Sequence, residues 1–322
     1  MVAGSAVWLG GLQAFPDEEP GRFLPRLWGQ SRRLWLPAED DLEVAGRLLG
    51  FGGCLPAAAL LAESEGIGTG GYWVWALEPV TFLGRAGRAI LAPMSPHPVA
   101  EAEEQALFRA AQQELEGSPW QLARGRKRWY LLSAEYPDLR TVPPVSLYGR
   151  EPLGLEPRGP DAGRCSALAN RLQMALRAHS INQAREREGL EPWGLFWPWG
   201  EGRLPEVPPV SSWRSIHSRR PELLAAGLWL NIPVHEGEPA AGAERLLWDY
   251  PSSWHLPDTA ADFAAGFRRW TAGRRTEEVR LLTGLLPQGG VECALWHPRD
   301  AWRFWRVPLR PGSRGTRPGN WE

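Results

Sequence analysis

Residues 179–202, HSINQAREREGLEPWGLFWPWGEG, gather the side chains of this chain best suited to chemistry. An Asn–x–x–Arg pair (Asn182, Arg185) precedes a helix-ending Gly189, three tryptophans (Trp193, Trp197, Trp199) and the glycines Gly194, Gly200 and Gly202. Asn182 is of the right type to cap a short helix that Gly189 ends. Arg185 then falls in the first turn, where the helix dipole disfavours a cation unless an anion lies nearby. A helix start carrying a guanidinium suits a phosphate or a carboxylate. In that reading the glycines admit a close backbone approach and the tryptophans wall the pocket. The same residues also fit a buried aromatic cluster held by a structural Asn–Arg pair, and residue types alone leave both readings open.

Other candidate motifs are weaker. Gly66-Ile-Gly-Thr-Gly-Gly71 has the letters of a dinucleotide fingerprint, but a helix precedes it and a strand follows, the reverse of what that chemistry needs. It reads as a flexible linker. The six histidines show no H-x-x-x-H or H-E-x-x-H spacing. Asp249, His255 and Asp258 include suitable ligand types but sit in a Trp/Pro/Ser loop, so no metal is expected. Nor is a cofactor: there is no Walker loop and no G-x-S-x-G elbow. Arg124, Arg126, Lys127 and Arg128, followed by Trp129 and Tyr130, could contact phosphates and stack on bases. The alternation of that run fits a solvated turn entering a buried strand better.

Composition sets further bounds. With 322 residues, 43% apolar and 23% charged, the chain has material for a sizeable core. Lys127 is the only lysine, and 19 residues are Trp. Codon bias explains a high Arg and Trp content, so only their placement is informative. A net charge of −1 argues against a dominant polyanionic partner, nucleic acid or membrane. Three scattered cysteines (Cys54, Cys165, Cys293) fit a reducing cytosol. The N-terminus lacks the basic start of a signal peptide, and no apolar run reaches transmembrane length.

The elements that must position these residues follow from periodicity. Strands are expected at 6–12, 72–78, 88–92, 127–134, 213–217, 228–232, 290–296 and 302–308. Helices are expected at 40–49, with Asp40 or Asp41 as cap, and at 56–65, 97–116, 163–178 behind Asp161, 220–226 and 260–270. Prolines 205, 208 and 209 mark a boundary. The fold class is α/β. Residues 1–70 and 206–310 form one layer from both ends of the chain, 71–205 form an inserted α+β domain, and 311–322 are a disordered tail.

The segment 179–202 resembles one in the archaeal-type cofactor-independent phosphoglycerate mutases. There a His-Pro-Val-Asn-x-x-Arg-x-x-x-Gly-x-x-Pro-Ala-Asn run leads into Trp-x-x-Gly-x-Gly-x-x-Pro. The matching residues here are His179, Asn182, Arg185, Gly189, Pro192, Trp197, Gly200, Gly202 and Pro205. A proteobacterial branch of mutase-like proteins, some of them regulatory, is more similar over most of the first 205 residues. It shares Tyr72-Trp73, an acidic-Pro-Val step (here Glu78, Pro79, Val80), Arg128 to Leu131, Thr141, Pro144, Gly149-Arg150, Asn170, Gln173 and Met174. Glu78, Thr81, Arg171, Arg177, Ser180 and Gly194 depart from its usual residues.

The resemblance implies a reduced alkaline-phosphatase-like layer. The mutases themselves hold a Ser or Thr nucleophile between two metal ions, with an Asp just after the first strand. Here Gly10, Gly11 and Leu12 follow that strand, and no carboxylate comes before Asp17. The expectation is a catalytically degenerate, soluble cytoplasmic protein with a binding or regulatory role and no catalytic residues. Its ligand would be a small phosphorylated or carboxylated metabolite held around His179, Asn182, Arg185, Trp197, Gly200 and Gly202, and it could have a protein partner. An active metal-dependent phosphomutase or phosphatase, and a nucleic-acid-associated module, are the alternatives.

Overall fold

A computed structural model describes residues 5–9, 23–85, 87–94, 99–144, 147–149, 151, 157–250, 259–272, 278–283, 286, 290–298 and 316–319. The chain forms two compact units, Met1–Leu55 with Pro208–Glu322, and Pro56–Val207.

The first unit begins with β1 (Ser5–Leu9), α1 (Phe23–Gln30), β2 (Arg32–Leu36) and α2 (Asp41–Leu49). The second unit follows: α3 (Ala57–Ser64), β3 (Trp73–Arg85), β4 (Arg88–Pro93), α4 (Glu101–Glu114), β5 (Trp120–Arg124), β6 (Trp129–Ser133), α5 (Ala162–Ala178), α6 (Ser180–Arg187) and β7 (Phe196–Gly202). The chain then returns to the first unit with β8 (Ser215–His217), α7 (Pro221–Trp229), β9 (Val234–His235), β10 (Leu246–Tyr250), α8 (Thr259–Thr271), β11 (Val279–Leu282), β12 (Val291–Trp296) and β13 (Arg317–Pro318).

The sheet of the first unit runs β13-β2-β12-β11-β1-β10-β8-β9. Strands β11, β1, β10, β8 and β9 are parallel, whereas β12 is antiparallel to both its neighbours. All five residues of β1 are buried, as a parallel strand covered on both faces requires. Val7, Leu9, Trp248, Tyr250, Val279 and Leu281 share a core with Leu24 and Trp28 of α1 and Phe263, Phe267 and Trp270 of α8. The three aromatics of α8 recur at helical spacing, which turns one stripe onto the sheet. The opposite face of β1 and β10 carries Trp8 and Asp249. At its start α2 is capped by the Asp40 carboxylate, which accepts from Glu43 N at 2.8 Å.

The sheet of the second unit runs β4-β3-β6-β5, with β7 also paired to β3. Trp75, Leu77, Trp129 and Leu131 of the sheet pack with Leu107 and Ala111 of α4 and with Leu168, Leu172 and Leu176 of α5. The 13-residue β3 is long because its first half pairs with β6 and its second half with β4.

Several expected elements differ. The strand read at 228–232 is instead the end of α7, which continues to Trp229, and the short β9 begins only at Val234. LLAAGLW is uniformly apolar, and such a run does not distinguish a buried helix from a strand. Asp249 lies in the buried strand β10 rather than in a loop. Within the tail expected to be disordered, Arg317 and Pro318 pair with Leu34 and Trp35. The expected strand 302–308 and residues His255 and Asp258 lie outside the described residues.

Candidate functional site

The six residues expected around a ligand lie at the α5–α6 junction (His179), within α6 (Asn182, Arg185) and in β7 (Trp197, Gly200, Gly202). His179 ends α5 and starts α6, and its Nδ1 accepts from Ile181 N at 3.3 Å. The cap is therefore His179, not Asn182. Asn182 sits inside α6, fully buried, with its amide saturated by backbone. Its Nδ2 donates to Leu176 O (2.7 Å) and Trp193 O (2.6 Å), and its Oδ1 accepts from Trp193 N (2.8 Å). This staples the Trp-rich segment to the end of α5.

Arg185 lies in the last turn of α6, where the dipole favours a cation, so the premise that it calls for an anion does not hold. It is 4% exposed. Its Nε donates to Glu191 O (3.1 Å) and its Nη1 faces Glu103 Oε2 (3.4 Å), while Nη2 is buried without a hydrogen-bond partner. Trp197 gives its indole N–H to Val142 O (2.8 Å). Gly200 has φ +72° and its N–H donates to Thr141 Oγ1 (3.1 Å). A Cβ at Gly202 would lie 2.5 Å from Pro56 Cβ, so that glycine admits the close approach of the chain entering α3.

A second polar cluster stands in the first unit, at the carboxyl end of its parallel strands, the edge where open α/β sheets place ligands. Trp8 of β1 and Asp249 of β10 are in register, and Ser218 directly follows β8 beside them. Ser218 Oγ donates to Asp249 Oδ2 (2.8 Å) and accepts from Arg220 N (2.9 Å). The Arg220 guanidinium stacks on the Trp8 ring, 3.7 Å from its centroid. Three carboxylates surround it: Asp249 at 3.3 Å, Asp41 at the start of α2 at 3.7 Å, and Glu222 in the first turn of α7 at 3.9 Å. Burial pushes the Asp41 carboxyl above its ordinary range, Arg220 pulls it part of the way back, and Asp249 raises it again. Burial alone would lower the Arg220 pKa, but Asp249, Glu222 and Asp41 together more than offset that.

No protein-family model matches the chain. A 2,3-bisphosphoglycerate-independent phosphoglycerate mutase from Methanothrix thermoacetophila is 32% identical over 71 residues, 22% of this chain and 18% of that protein. The corresponding mutase 2 from Methanothermobacter thermautotrophicus is 28% identical over 139 residues, 42% of this chain and 34% of that protein. The matched stretches thus span well under half of either curated relative. The cofactor-independent phosphoglycerate mutase from Thermoplasma acidophilum aligns with a TM-score of 0.43 at 14% identity, covering 92% of this chain and 90% of that one. The PH0037 protein from Pyrococcus horikoshii aligns with a TM-score of 0.47 at 13% identity, covering 94% and 92%. The chain is weakly homologous to archaeal-type cofactor-independent phosphoglycerate mutases.

The remaining sequence motifs are tied into the second unit. Arg128 pairs with Glu65 (3.2 Å) and Glu78 (3.6 Å), Arg124 with Glu101 (3.2 Å), and Arg126 donates to Ser64 O (2.7 Å). In the Gly-rich loop, Thr69 is anchored on Glu63 through both its amide and its hydroxyl. The sequence singled out Asp41 only as a possible helix cap and Asp249 only as a possible metal ligand, and did not indicate the Asp41–Ser218–Arg220–Glu222–Asp249 cluster. The available signal was Asp249 late in the short strand LLWDY and Ser218 directly after the short strand SIH.

Proposed function

We propose that this chain is a catalytically degenerate, phosphoglycerate-mutase-like protein with a binding or regulatory role, built on a reduced alkaline-phosphatase-like layer. The pairing of Ser218 with Asp249 carries this reading. A nucleophilic hydroxyl needs an accessible oxygen and a base that takes its proton in the reaction. Ser218 is 2% exposed, and its oxygen is held between the Asp249 carboxylate and the Arg220 amide. The Ser218 hydroxyl and the Asp249 carboxylate therefore satisfy one another, as in a structural network, beside an Arg220 whose Nε and Nη2 are buried without a hydrogen-bond partner.

The binding role falls to the turn around His179, Asn182, Arg185, Trp197, Gly200 and Gly202. Asn182 and the glycines shape it, and Arg185 Nη2 is the donor left over for a small phosphorylated or carboxylated ligand. A cytoplasmic setting fits the three free cysteines. Among the described residues no helix is long and apolar enough to cross a membrane.

The deciding experiment assays pure protein for interconversion of 2- and 3-phosphoglycerate, with Mn2+ or Zn2+ supplied and after chelation. No turnover is expected under either condition. Chelator-sensitive turnover would overturn the reading in favour of a metal-dependent phosphomutase. Thermal shifts with 3-phosphoglycerate, absent in Arg185→Met, would support the ligand assignment.

A further inference from the structure

We infer that Arg220 is the resident cation of the β1–β10–β8 edge, standing where kinship with a metal-dependent mutase calls for metal ions. This rests on the degenerate reading above. The residues present do not fit a metal. A hard divalent cation draws its oxygen ligands to roughly 2.0–2.6 Å around one point. Asp249 and Glu222 instead stand 3.3 and 3.9 Å from Nε of one planar group, and Asp41 stands 3.7 Å from its Nη1. Among the described residues no group of three or more His, Cys, Asp or Glu side chains is gathered closely enough to hold a metal ion.

The frame does fit a guanidinium. Its flat face lies on the Trp8 ring at 3.7 Å, a cation–π contact that suits a weakly hydrated planar cation. Its edges meet carboxylates from three separate elements, and Ser218 links Asp249 back to the Arg220 backbone. A guanidinium neutralises carboxylates as a metal does. Being permanently protonated and without an open coordination position, it neither activates water nor polarises a phosphoryl oxygen. The folded state of this edge is therefore independent of divalent metal and selective for a guanidinium.

Arg220→Ala tests this by leaving a guanidinium-sized vacancy among the carboxylates. Its melting temperature is expected to fall by roughly 5 °C. Low-millimolar ethylguanidinium should restore at least half of that loss, with ethylammonium, Mg2+ and Mn2+ restoring little. Equal or better rescue by Mn2+ would overturn the inference, as would a folded variant that no guanidinium rescues, or a variant that stays unfolded whatever the cation.

Equilibrium dialysis of the unaltered protein against Mn2+ and Zn2+ gives a second readout. No stoichiometric binding is expected. Binding that disappears in Asp249→Asn would overturn the inference, and binding that persists in that variant would leave the frame metal-free, as proposed. Turnover without metal would sink the degenerate reading and spare this one; metal held by Asp249 without turnover would do the reverse.

Discussion

Arg185 and Arg220 both face carboxylates within their units, the first with a side chain 5% exposed and the second 25%, yet they are held in opposite ways. Arg185 spends Nε on a backbone carbonyl six residues away and Nη1 on Glu103, a side chain 37% exposed. These bonds shape a turn and leave Nη2 without a hydrogen-bond partner. Arg220 has carboxylates on its edges and an indole beneath it, and its backbone amide is fixed by Ser218. Its work is to balance charge. The number of carboxylates gathered around the guanidinium, one against three, separates the two. A buried ion pair is costly to break mainly because the partners left behind are unpaired.

That contrast can be tested by substitution. Arg220→Met should cost about 3 kcal/mol near neutral pH, since it leaves three carboxylates without a counter-charge. The loss should shrink in acid. Because the Asp41 carboxyl is raised in the folded state, its contribution is fullest below about 3.8 and is lost as pH rises through the folded value. Arg185→Met should cost about 1–2 kcal/mol with little pH dependence, mainly through the Glu191 carbonyl it leaves unpaired. Equal losses with equal pH dependence, measured by urea unfolding, would erase the distinction.

Asn182→Ala should cost about 2–3 kcal/mol, because two carbonyls and one amide lose their partner inside the protein. A loss below half a unit of that scale would mean water replaces the side chain. Gly200→Ala should cost about 1–2 kcal/mol: its φ of +72° strains any side chain, and the new Cβ would lie 3.1 Å from Ala58 N. A neutral result in thermal melts would release β7 from its role in setting the turn.

The smallest effect is expected at His217. Burial lowers its pKa, helped by His235 stacked on it at 4.7 Å, against a hydrogen bond to Gly237 O that raises it. Its contribution is then full above about 6.5 and declines as pH falls from there through the lower folded value. His217→Gln should flatten that decline in unfolding midpoints taken between pH 7.5 and pH 5; an unchanged slope would assign it to other groups.

The sequence made much of the secondary structure legible where patterns were long or capped. Helices α2, α4, α5 and α8 declared themselves through Asp40, Asp161 or an apolar stripe. The five-residue β10 did not, because LLWDY carries a carboxylate that resembles a loop residue until Ser218 and Arg220 are seen to satisfy it. The Asn182 segment stands out in the sequence because its residues are neighbours in the chain. The role given to Asn182 was wrong by a few residues of helix, since His179 took the cap and moved Arg185 from the first turn to the last. The Arg220 cluster was invisible for the converse reason. Trp8, Asp41, Ser218 and Asp249 come from four distant stretches, and only the sheet order brings them together.

The pairing of β1 also has a consequence for how this protein is made. Ser5 to Leu9 lie between β10 and β11, strands that the ribosome delivers some 240 residues later; the Ser5 hydroxyl, for example, accepts from Leu246 N. The whole of Pro56–Val207 is synthesised in the interval. The inner unit can therefore complete its own sheet while the first strand of the outer unit waits, apolar and unpaired on both edges. Such distant pairing makes for slow folding and a long period of exposure to aggregation. Translation arrested before Leu246 would release a chain whose inner unit is complete while β1 has neither of its neighbours.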